Sequence, residues 1–437
     1  MNNVSCYLGG EPILCCRKTM DLLRAAYSDD NSEYEKDFSN DNKKILPVAG
    51  NKNTERRKVW EESNVECNYV AAPYISKRQR REAQTSDTPS TTRPSAVVGS
   101  ISDSKVPSHI RTQLRQFGEV NAHHNRIPKG LPISLTGHTK AVNAVEWSPT
   151  HGHLLASGGM DHIAYIWNVW NREGQNKACV LSHHNAAIKD LQWSKQGLHL
   201  LTCGYDQTSR LTDVETSSQV QVFREEQVVS VVKFHPQEFH LFLSGGSKGT
   251  IRLWDIRMSK VIREYLRGLG PIMDIDFSYD GKNFISSSDN SQTNCSEKSI
   301  VVWDFQTQVP LSKQVYVEAY TCPSIRYHPV ENSFVAQSNG NYIAIFSSTP
   351  PFKLNKYKRF EKHEVSGFPI QCNFSQDGEL LVTGSADGCI YFYSYKSSKL
   401  LRKMHVYKHA STDVVYHPLL PSVVASCSWN GEVSVFE

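Results

Sequence analysis

The sequence lacks the features of membrane-spanning, secreted and strongly basic proteins. No apolar run reaches the roughly 18 residues that a transmembrane helix needs. The first residues, Met1 to Cys6, contain no basic stretch followed by an apolar one, so a secretory signal is not expected. The formal charge is only +4, from 48 basic and 44 acidic side chains. Neither nucleic-acid binding through a bulk positive field nor charge-driven membrane docking is therefore expected.

Metal and nucleotide motifs are missing as well. The 11 cysteines are scattered and include no CxxC pair. Such a set is typical of reduced thiols in the cytosol or nucleus, and we expect several on buried strands (Cys179, Cys372, Cys389). The motifs GxxxxGK[ST] and HExxH do not occur, nor does a GxGxxG between a strand and a helix. We expect no metal, no cofactor and no catalytic residues.

Residues 1–127 differ in composition and charge pattern from the rest of the chain. An acidic stretch runs from Asp29 to Asp41, and a run rich in Ser, Thr and Pro extends from Thr85 to Pro107. This composition buries too little apolar surface to offset chain entropy. The sequence therefore predicts a largely disordered, charged N-terminal arm over residues 1–127.

A basic cluster in this arm is a candidate nuclear-import signal. Its cations are Lys77, Arg78, Arg80 and Arg81. Clustered cations in a flexible segment suit an acidic receptor groove. A solvated charge run without a receptor is the alternative, because short basic clusters are common.

From about residue 128 an aromatic-centred hairpin signal recurs seven times. The copies are centred on Trp147, Trp193, Phe234, Phe277, Tyr327, Phe374 and Tyr416. Their spacing of roughly 40–50 residues is that of a four-stranded propeller blade. A second marker, the aromatic or Thr residue that ends each third strand, also counts seven copies, from Trp167 to Phe436. Strand-length apolar runs broken by Gly, Asp, Asn and Pro replace helical periodicity. The sequence predicts an all-β, seven-bladed propeller over residues 128–437.

These repeats resemble the WD-repeat family. Gly137-His138 opens the first unit, Trp167-Asn168 closes it, and Trp254-Asp255 and Trp303-Asp304 carry the dipeptide of the family name. The resemblance implies that a strand from the start of the domain, Ile133 to Leu135, completes the last blade. Such an arrangement closes the ring and removes two sheet edges.

The first unit contains His138, Ser157 and Asp161, which also suit a Ser/His/Asp hydrolase. In the WD-repeat family these positions, with Trp167, form a buried structural tetrad. Similar residues recur in other units, as with His184, Thr202 and Asp206, and we assign the opening histidines of later units to His363 and His409. A catalytic triad has no reason to recur in every blade, whereas a bracing network does. We therefore predict that the four residues brace the blade.

The resemblance also places partner-binding candidates on one rim of the ring. Met160, Tyr205 and Trp429 precede the turn Asp or its equivalent in units one, two and seven, which are neighbours in a closed ring. Exposed Tyr and Trp are typical interface hot spots. Scattered surface apolarity is the alternative.

The sequence Trp254-Asp255-Ile256-Arg257 resembles the WDxR signature by which some WD-repeat proteins dock on the adaptor of cullin-RING ubiquitin ligases. Arg257 would then be a projecting cation. We favour the alternative, a strand-end Arg257 that pairs with a neighbouring blade, because Lys248 replaces the acidic residue that usually accompanies this signature.

Three stretches are similar to the WD-repeat second-step pre-mRNA splicing factors: 127–129 with 135–142, 250–257, and 352–358. The resemblance implies a non-enzymatic, nuclear scaffold in a multi-subunit, ribonucleoprotein-type assembly, with a monomeric propeller and no membrane contact. A ligase substrate receptor is the alternative, and a cytoplasmic pool is compatible with both. Direct RNA contact is not implied by the net charge, and would use local patches such as Lys353, Lys356, Lys358 and Arg359.

Overall fold

Seven antiparallel sheets, arranged as blades around a central axis, make up most of the chain that the computed structural model describes. The described residues are 95–118, 124–171, 175–265, 268–289, 300–312 and 320–437. The first strand of each blade contacts the first strands of the blades before and after it, and blade 7 contacts blade 1. The prediction of an all-β, seven-bladed propeller is confirmed.

The strands of each blade run outward from the axis in chain order, and blades 1 and 7 each add an outermost strand from earlier in the chain. The strands of blade 1 are Val142–Trp147, Leu154–Gly159, Ala164–Asn168 and Lys177–Leu181. Those of blade 2 are Ile188–Trp193, His199–Gly204, Thr208–Asp213 and Gln219–Arg224. Those of blade 3 are Val229–Phe234, Leu241–Gly246, Ile251–Asp255 and Lys260–Tyr265. Blade 4 has three described strands, Ile272–Phe277, Asn283–Ser288 and Ile300–Asp304. The strands of blade 5 are Ser324–Tyr327, Ser333–Ser338, Tyr342–Ser347 and Leu354–Glu361. Those of blade 6 are Cys372–Phe374, Leu380–Thr383, Cys389–Ser394 and Leu400–His405. Blade 7 contains Ser411–Tyr416, Val424–Ser428 and Val433–Phe436.

The ring closes as the family resemblance implies. Ile133–Leu135 pairs antiparallel with Val433–Phe436 and becomes the fourth strand of blade 7. Leu135 is 1% exposed, because its side chain joins the apolar layer between blades 7 and 1. The first and last strands of the ring therefore share one sheet, which leaves no open seam.

Apolar layers between neighbouring blades form the core. Between blades 3 and 4, for example, Tyr265, Phe284 and Trp303 are almost fully buried, and their rings pack against one another. Second strands are buried on both faces, as the patterns of Leu154–Gly159 and Leu241–Gly246 show. Cys179, Cys372 and Cys389 are buried free thiols, as expected.

Part of the predicted arm packs on the propeller. Ala96–Val97 adds a fifth strand to blade 1 by pairing with Lys177–Leu181. A short 3-10 helix, Asp103–Lys105, leads into an α-helix, Ser108–Gly118, whose Ile110 is buried against blades 7 and 1. Composition alone misses this segment because the propeller supplies the apolar surface that the segment lacks. The boundary at residue 127 otherwise stays a prediction.

The import candidates Lys77, Arg78, Arg80 and Arg81 lie outside the described residues. Within the described ranges, no helix has both the length and the apolar character to cross a bilayer.

Candidate protein-interaction rim and its buried supports

The four predicted bracing residues of blade 1 form one continuous hydrogen-bond chain. His138 Nδ1 lies 3.0 Å from both carboxylate oxygens of Asp161, and its Nε2 lies 2.8 Å from Ser157 Oγ. Trp167 Nε1 donates to the same Oγ at 2.8 Å. Burial raises the pKa of Asp161, but hydrogen bonds and charge from His138 outweigh it and hold that pKa below its usual range. The turn is thereby tied to the third strand.

Ser157, His138 and Asp161 are hydrogen-bonded in the order of a hydrolytic triad, but unlike the residues of an active site they are not accessible to solvent. The His138 side chain is 0% exposed, that of Asp161 is 4% exposed, and Ser157 is 0% exposed. A substrate cannot reach Ser157 Oγ, and that oxygen is already held by Trp167. We propose that the chain of bonds is structural.

Other blades build the same chain from different residues. Blade 2 repeats it with His184, Thr202 and Asp206, at 2.8 and 2.9 Å. In blade 3, buried Glu225 takes the place of the histidine and accepts from Ser244 Oγ at 2.5 Å. Trp254 Nε1 donates to the same Ser244 oxygen at 3.0 Å.

Blades 6 and 7 depart from the sequence-based assignments. His363 Nδ1 lies 3.1 Å from the hydroxyl of Tyr393 in blade 6. In blade 7, Tyr407 OH lies 2.7 Å from Ser426 Oγ, whereas His409 is exposed. The assignment of His409 was wrong because Tyr407, two residues earlier, reaches the serine that the histidine was expected to hold.

Replacing Ser157 by Ala is expected to lower the free energy of unfolding by about 1–2 kcal/mol, because Trp167 Nε1 and His138 Nε2 lose their common buried partner. Urea denaturation measures the change. The exposed Ser397→Ala is the control and should stay within about 0.5 kcal/mol of wild type. A Ser157 variant as stable as this control would contradict a bracing role.

A second set of buried and partly buried polar groups lies along the axis, and the sequence analysis missed it. Asp190, Asp274 and Asp413 each follow a β-bulge at the start of a first strand. One oxygen accepts from the next residue of the same strand, and the other accepts from the first strand of the following blade. These second bonds come from the backbone N–H groups of Val232, Ile325 and Val145 at 2.9–3.1 Å.

Acidic residues at the fifth position of two first strands add a second layer to this axial network. Glu146 accepts from the backbone of Trp193 at 2.7 Å, and Asp276 from that of Tyr327 at 2.8 Å. Burial raises the pKa of Glu146 to about 8 and that of Asp413 to about 6. The aspartate recurs at the third position of three first strands, and this sequence signal could have located the network.

Arg326 is the cation at the centre of the network. Its guanidinium pairs with Asp274 and donates to Asn373 Oδ1 at 3.0 Å and to Gln371 Oε1 at 2.6 Å. Both side chains of the ion pair are largely buried. Arg326 therefore links blades 4, 5 and 6, and its charge offsets part of the rise that burial causes in the pKa of Asp413.

The histidine of a recurring His-Pro dipeptide forms hydrogen bonds that connect alternate blades to their neighbours. In blades 3, 5 and 7 the histidine Nδ1 accepts from two following backbone N–H groups. The Nε2 of His235, His328 and His417 lies 3.2, 3.0 and 2.7 Å from a carbonyl oxygen of the next blade. Each ring must be neutral to accept at Nδ1 and donate from Nε2.

The predicted rim residues occupy equivalent turn positions. The backbone N–H groups of Met160, Tyr205 and Trp429 each donate to the carbonyl just before the first strand of their own blade. All three turns join second to third strands, so they lie at one end of the ring, which we call the tetrad rim.

Their side chains differ in accessibility. Tyr205 is partly exposed, with Lys189 Nζ 5.7 Å from its ring centroid. Trp429 is partly exposed and packs edge-on against Phe368. Met160 is only 6% exposed, so it does not offer a surface to a partner. The prediction that Met160 binds a partner is therefore wrong, because its apolar side chain is already buried within the propeller, where removal from water stabilises the fold.

Arg257 lies at the other end of the ring, in the turn between third and fourth strands of blade 3. Its guanidinium pairs with Asp255, two residues earlier, through bonds of 2.8 and 3.2 Å. The prediction that Arg257 pairs with a neighbouring blade is therefore wrong, because its partner Asp255 lies in the same blade, two residues earlier. Hydrogen bonds from Arg257 hold the pKa of Asp255 below its usual range.

One surface cluster has the residue types of a metal site. His124, Asp377 and Glu379 bring one potential ligand atom each within 4.8 Å of one another. His124 and Glu379 are highly exposed, and Asp377 already accepts from the backbone of Asn125 and from Ser375 Oγ. The cluster carries no argument for a metal.

Comparison with known proteins agrees with the fold. A family model described as "WD domain, G-beta repeat" matches residues 131–168, 175–213, 217–255 and 355–394. The chain is 33% identical over 416 residues to WD repeat-containing protein 25 of Mus musculus, which covers 91% of this chain and 74% of that relative.

It is also similar to pre-mRNA-processing factor 17. Identity to the Mus musculus protein is 30% over 336 residues, 76% of this chain and 56% of the relative. Identity to the Saccharomyces cerevisiae protein is 28% over 335 residues, 75% of this chain and 71% of the relative. The chain thus spans little more than half the length of the mouse factor.

Proposed function

Because the chain belongs to the WD-repeat family that includes WD repeat-containing protein 25 and pre-mRNA-processing factor 17, we propose that it is a non-enzymatic scaffold in nuclear RNA-processing assemblies. The observation that carries the proposal is the similarity to pre-mRNA-processing factor 17, which extends over three quarters of the chain. The burial of the Ser157 set supports a binding role over a hydrolytic one. Pre-mRNA processing implies a nuclear location.

The tetrad rim over blades 7, 1 and 2 is the proposed protein-docking surface. Trp429 and Phe368 form an aromatic pair there, and Tyr205 adds a second partly exposed ring. At the equivalent turns of blades 3, 4 and 5 the residues are polar: Ser247, Asp289 and Asn339. At these turn positions, aromatic residues thus occur only within the sector of blades 7, 1 and 2, and clustered aromatic residues are typical of a hot spot.

Affinity purification of the tagged chain from nuclear extract tests the proposal. Recovery of ribonucleoprotein components is the expected result. Recovery of a cullin and its adaptor instead would contradict it and favour the ligase-receptor alternative. The Asp255 pairing of Arg257 does not favour that alternative, under which Arg257→Ala should abolish adaptor recovery.

The double variant Tyr205→Ala/Trp429→Ala is expected to weaken binding of the recovered protein partner by about 30-fold or more, as loss of a hot spot does. Titration with the purified partner measures the change, and thermal unfolding verifies that the fold is retained. Tyr279→Ala, at a tyrosine that is 85% exposed at the other end of the ring, is the matched control. Equal affinity for the double variant and the control would remove the tetrad rim as the docking surface.

A further inference from the structure

The fourth strand of blade 5 carries a large bulge. Arg359 pairs with Ala344 and Leu354 with Phe346, so four residues, 355–358, lie opposite Ile345 alone. Asn355 Oδ1 accepts from the backbone of Tyr357 at 3.0 Å, which holds the bulge in a turn. Buried Phe360 anchors the strand beyond it. The bulge is a supported projection, and such features commonly re-aim a side chain at a functional site.

The bulge projects an aromatic ring into solvent. Tyr357 is 99% exposed, and Lys356 and Lys358 on either side of it are exposed too. Nothing in the described structure covers either face of this ring. A fully exposed tyrosine between two lysines offers a stacking surface next to positive charge.

The surface beside the bulge is a basic groove of about 650 Å³ between blades 5 and 6. It is lined by the four lysines 353, 356, 358 and 396 and by one carboxylate, that of Glu331. Lys358 Nζ donates to the carbonyl of Lys396 at 3.0 Å, which draws two sides of the groove together. Among the described residues, none of these four ammonium groups forms an ion pair with a carboxylate. The groove therefore presents a local excess of positive charge within a chain of nearly balanced charge.

We propose that this groove binds single-stranded RNA, with one base stacked on Tyr357 and the backbone phosphates on Lys353, Lys356, Lys358 and Lys396. Basic grooves with exposed aromatic rings bind single strands because every base has a stacking face and every phosphate a charge. An acidic peptide would use the lysines but has no need of the exposed ring. The inference rests on the proposed function only for the choice of RNA over single-stranded DNA.

Fluorescence anisotropy with the purified full chain and a labelled oligouridine of about 12 nucleotides tests the inference. Tyr357→Ala is expected to weaken binding by about 5- to 150-fold, the range for loss of one base–aromatic stack. Tyr279→Ala, which removes an almost equally exposed ring elsewhere, should leave the affinity unchanged. The double variant Lys356→Met/Lys396→Met should reduce the slope of log affinity against log salt by about 1.4, or about 0.7 for each lysine.

Equal losses for Tyr357→Ala and Tyr279→Ala would overturn the inference. Displacement of the RNA by polyglutamate, together with unchanged affinity of Tyr357→Ala, would instead identify an acidic-peptide site and reject RNA. Because this assay uses purified protein, its failure leaves the nuclear-extract result standing, and the two proposals fail separately.

Discussion

Replacing Arg326 by Met is expected to lower the free energy of unfolding by about 3–5 kcal/mol, the cost of leaving one partner of a buried ion pair uncompensated. Asp274 would keep its bonds from two backbone N–H groups but lose the guanidinium with which it pairs. Gln371 and Asn373 of blade 6 would also lose the donors that Arg326 provides. The urea midpoint should fall while the denaturant slope stays the same, since the change acts on stability and not on compactness.

A double variant separates the effect of the unpaired charge from that of the lost packing. Arg326→Met/Asp274→Asn removes both charges and should lose less stability than Arg326→Met alone, because no unpaired carboxylate remains. Lys282→Met breaks the exposed pair with Asp280 and should cost at most about 1 kcal/mol. If Arg326→Met were no more destabilising than Lys282→Met, the axial network would not hold the blades together.

Replacing His417 by Asn is expected to cost about 2–3 kcal/mol at pH 7.5, because the donor to the Gly152 carbonyl and the ring contacts with Trp147 and Trp170 are lost. Burial lowers the pKa of His417 from 6.5 to about 4. The folded state therefore binds fewer protons than the unfolded state between these two pH values. The contribution of His417 to stability is present above about pH 6.5 and is lost as the pH falls through that window to about 4.

The difference between wild type and His417→Asn should thus shrink by about 2 kcal/mol between pH 7.5 and pH 5, as the linkage relation gives for this shift. Urea denaturation at both pH values measures it. Comparing the variant with wild type removes the opposite contributions of Glu146 and Asp413, whose raised pKa values favour the folded state at low pH. His409→Asn, an exposed position in the same blade, should stay within about 0.5 kcal/mol of wild type. A difference that did not change with pH would show that His417 acts by packing alone.

The repeat structure could be predicted from the sequence because each blade imposes the same strand alternation and the same turn chemistry. Spacing predicted the seven blades, and kinship predicted the closing strand Ile133–Leu135. The hydrogen-bond chain of blade 1 was predicted from the resemblance to the WD-repeat family, because His138, Ser157, Asp161 and Trp167 all keep the family identities.

The contacts between blades were not predicted, and the reason is geometric. Asp413 reaches Val145, and His417 reaches Gly152, across the closure of the ring. These partners are separated by most of the chain, and strand alternation does not tell which inward face meets the axis. The bulge at Tyr357 was missed for a related reason, since the polar run from Asn355 to Arg359 does not show which of its residues leave the strand pairing.

The closing strand has a consequence for biosynthesis. Ile133–Leu135 is made about 300 residues before its partner Val433–Phe436. At roughly 5–20 residues per second, the ribosome takes on the order of 15–60 s to supply that partner. During this interval the nascent chain carries an unsatisfied strand, while six blades have already emerged without a completed circle. The ring therefore cannot close until Val433–Phe436 has been made, and until then the unpaired edge of Ile133–Leu135 is open to non-native strand pairing.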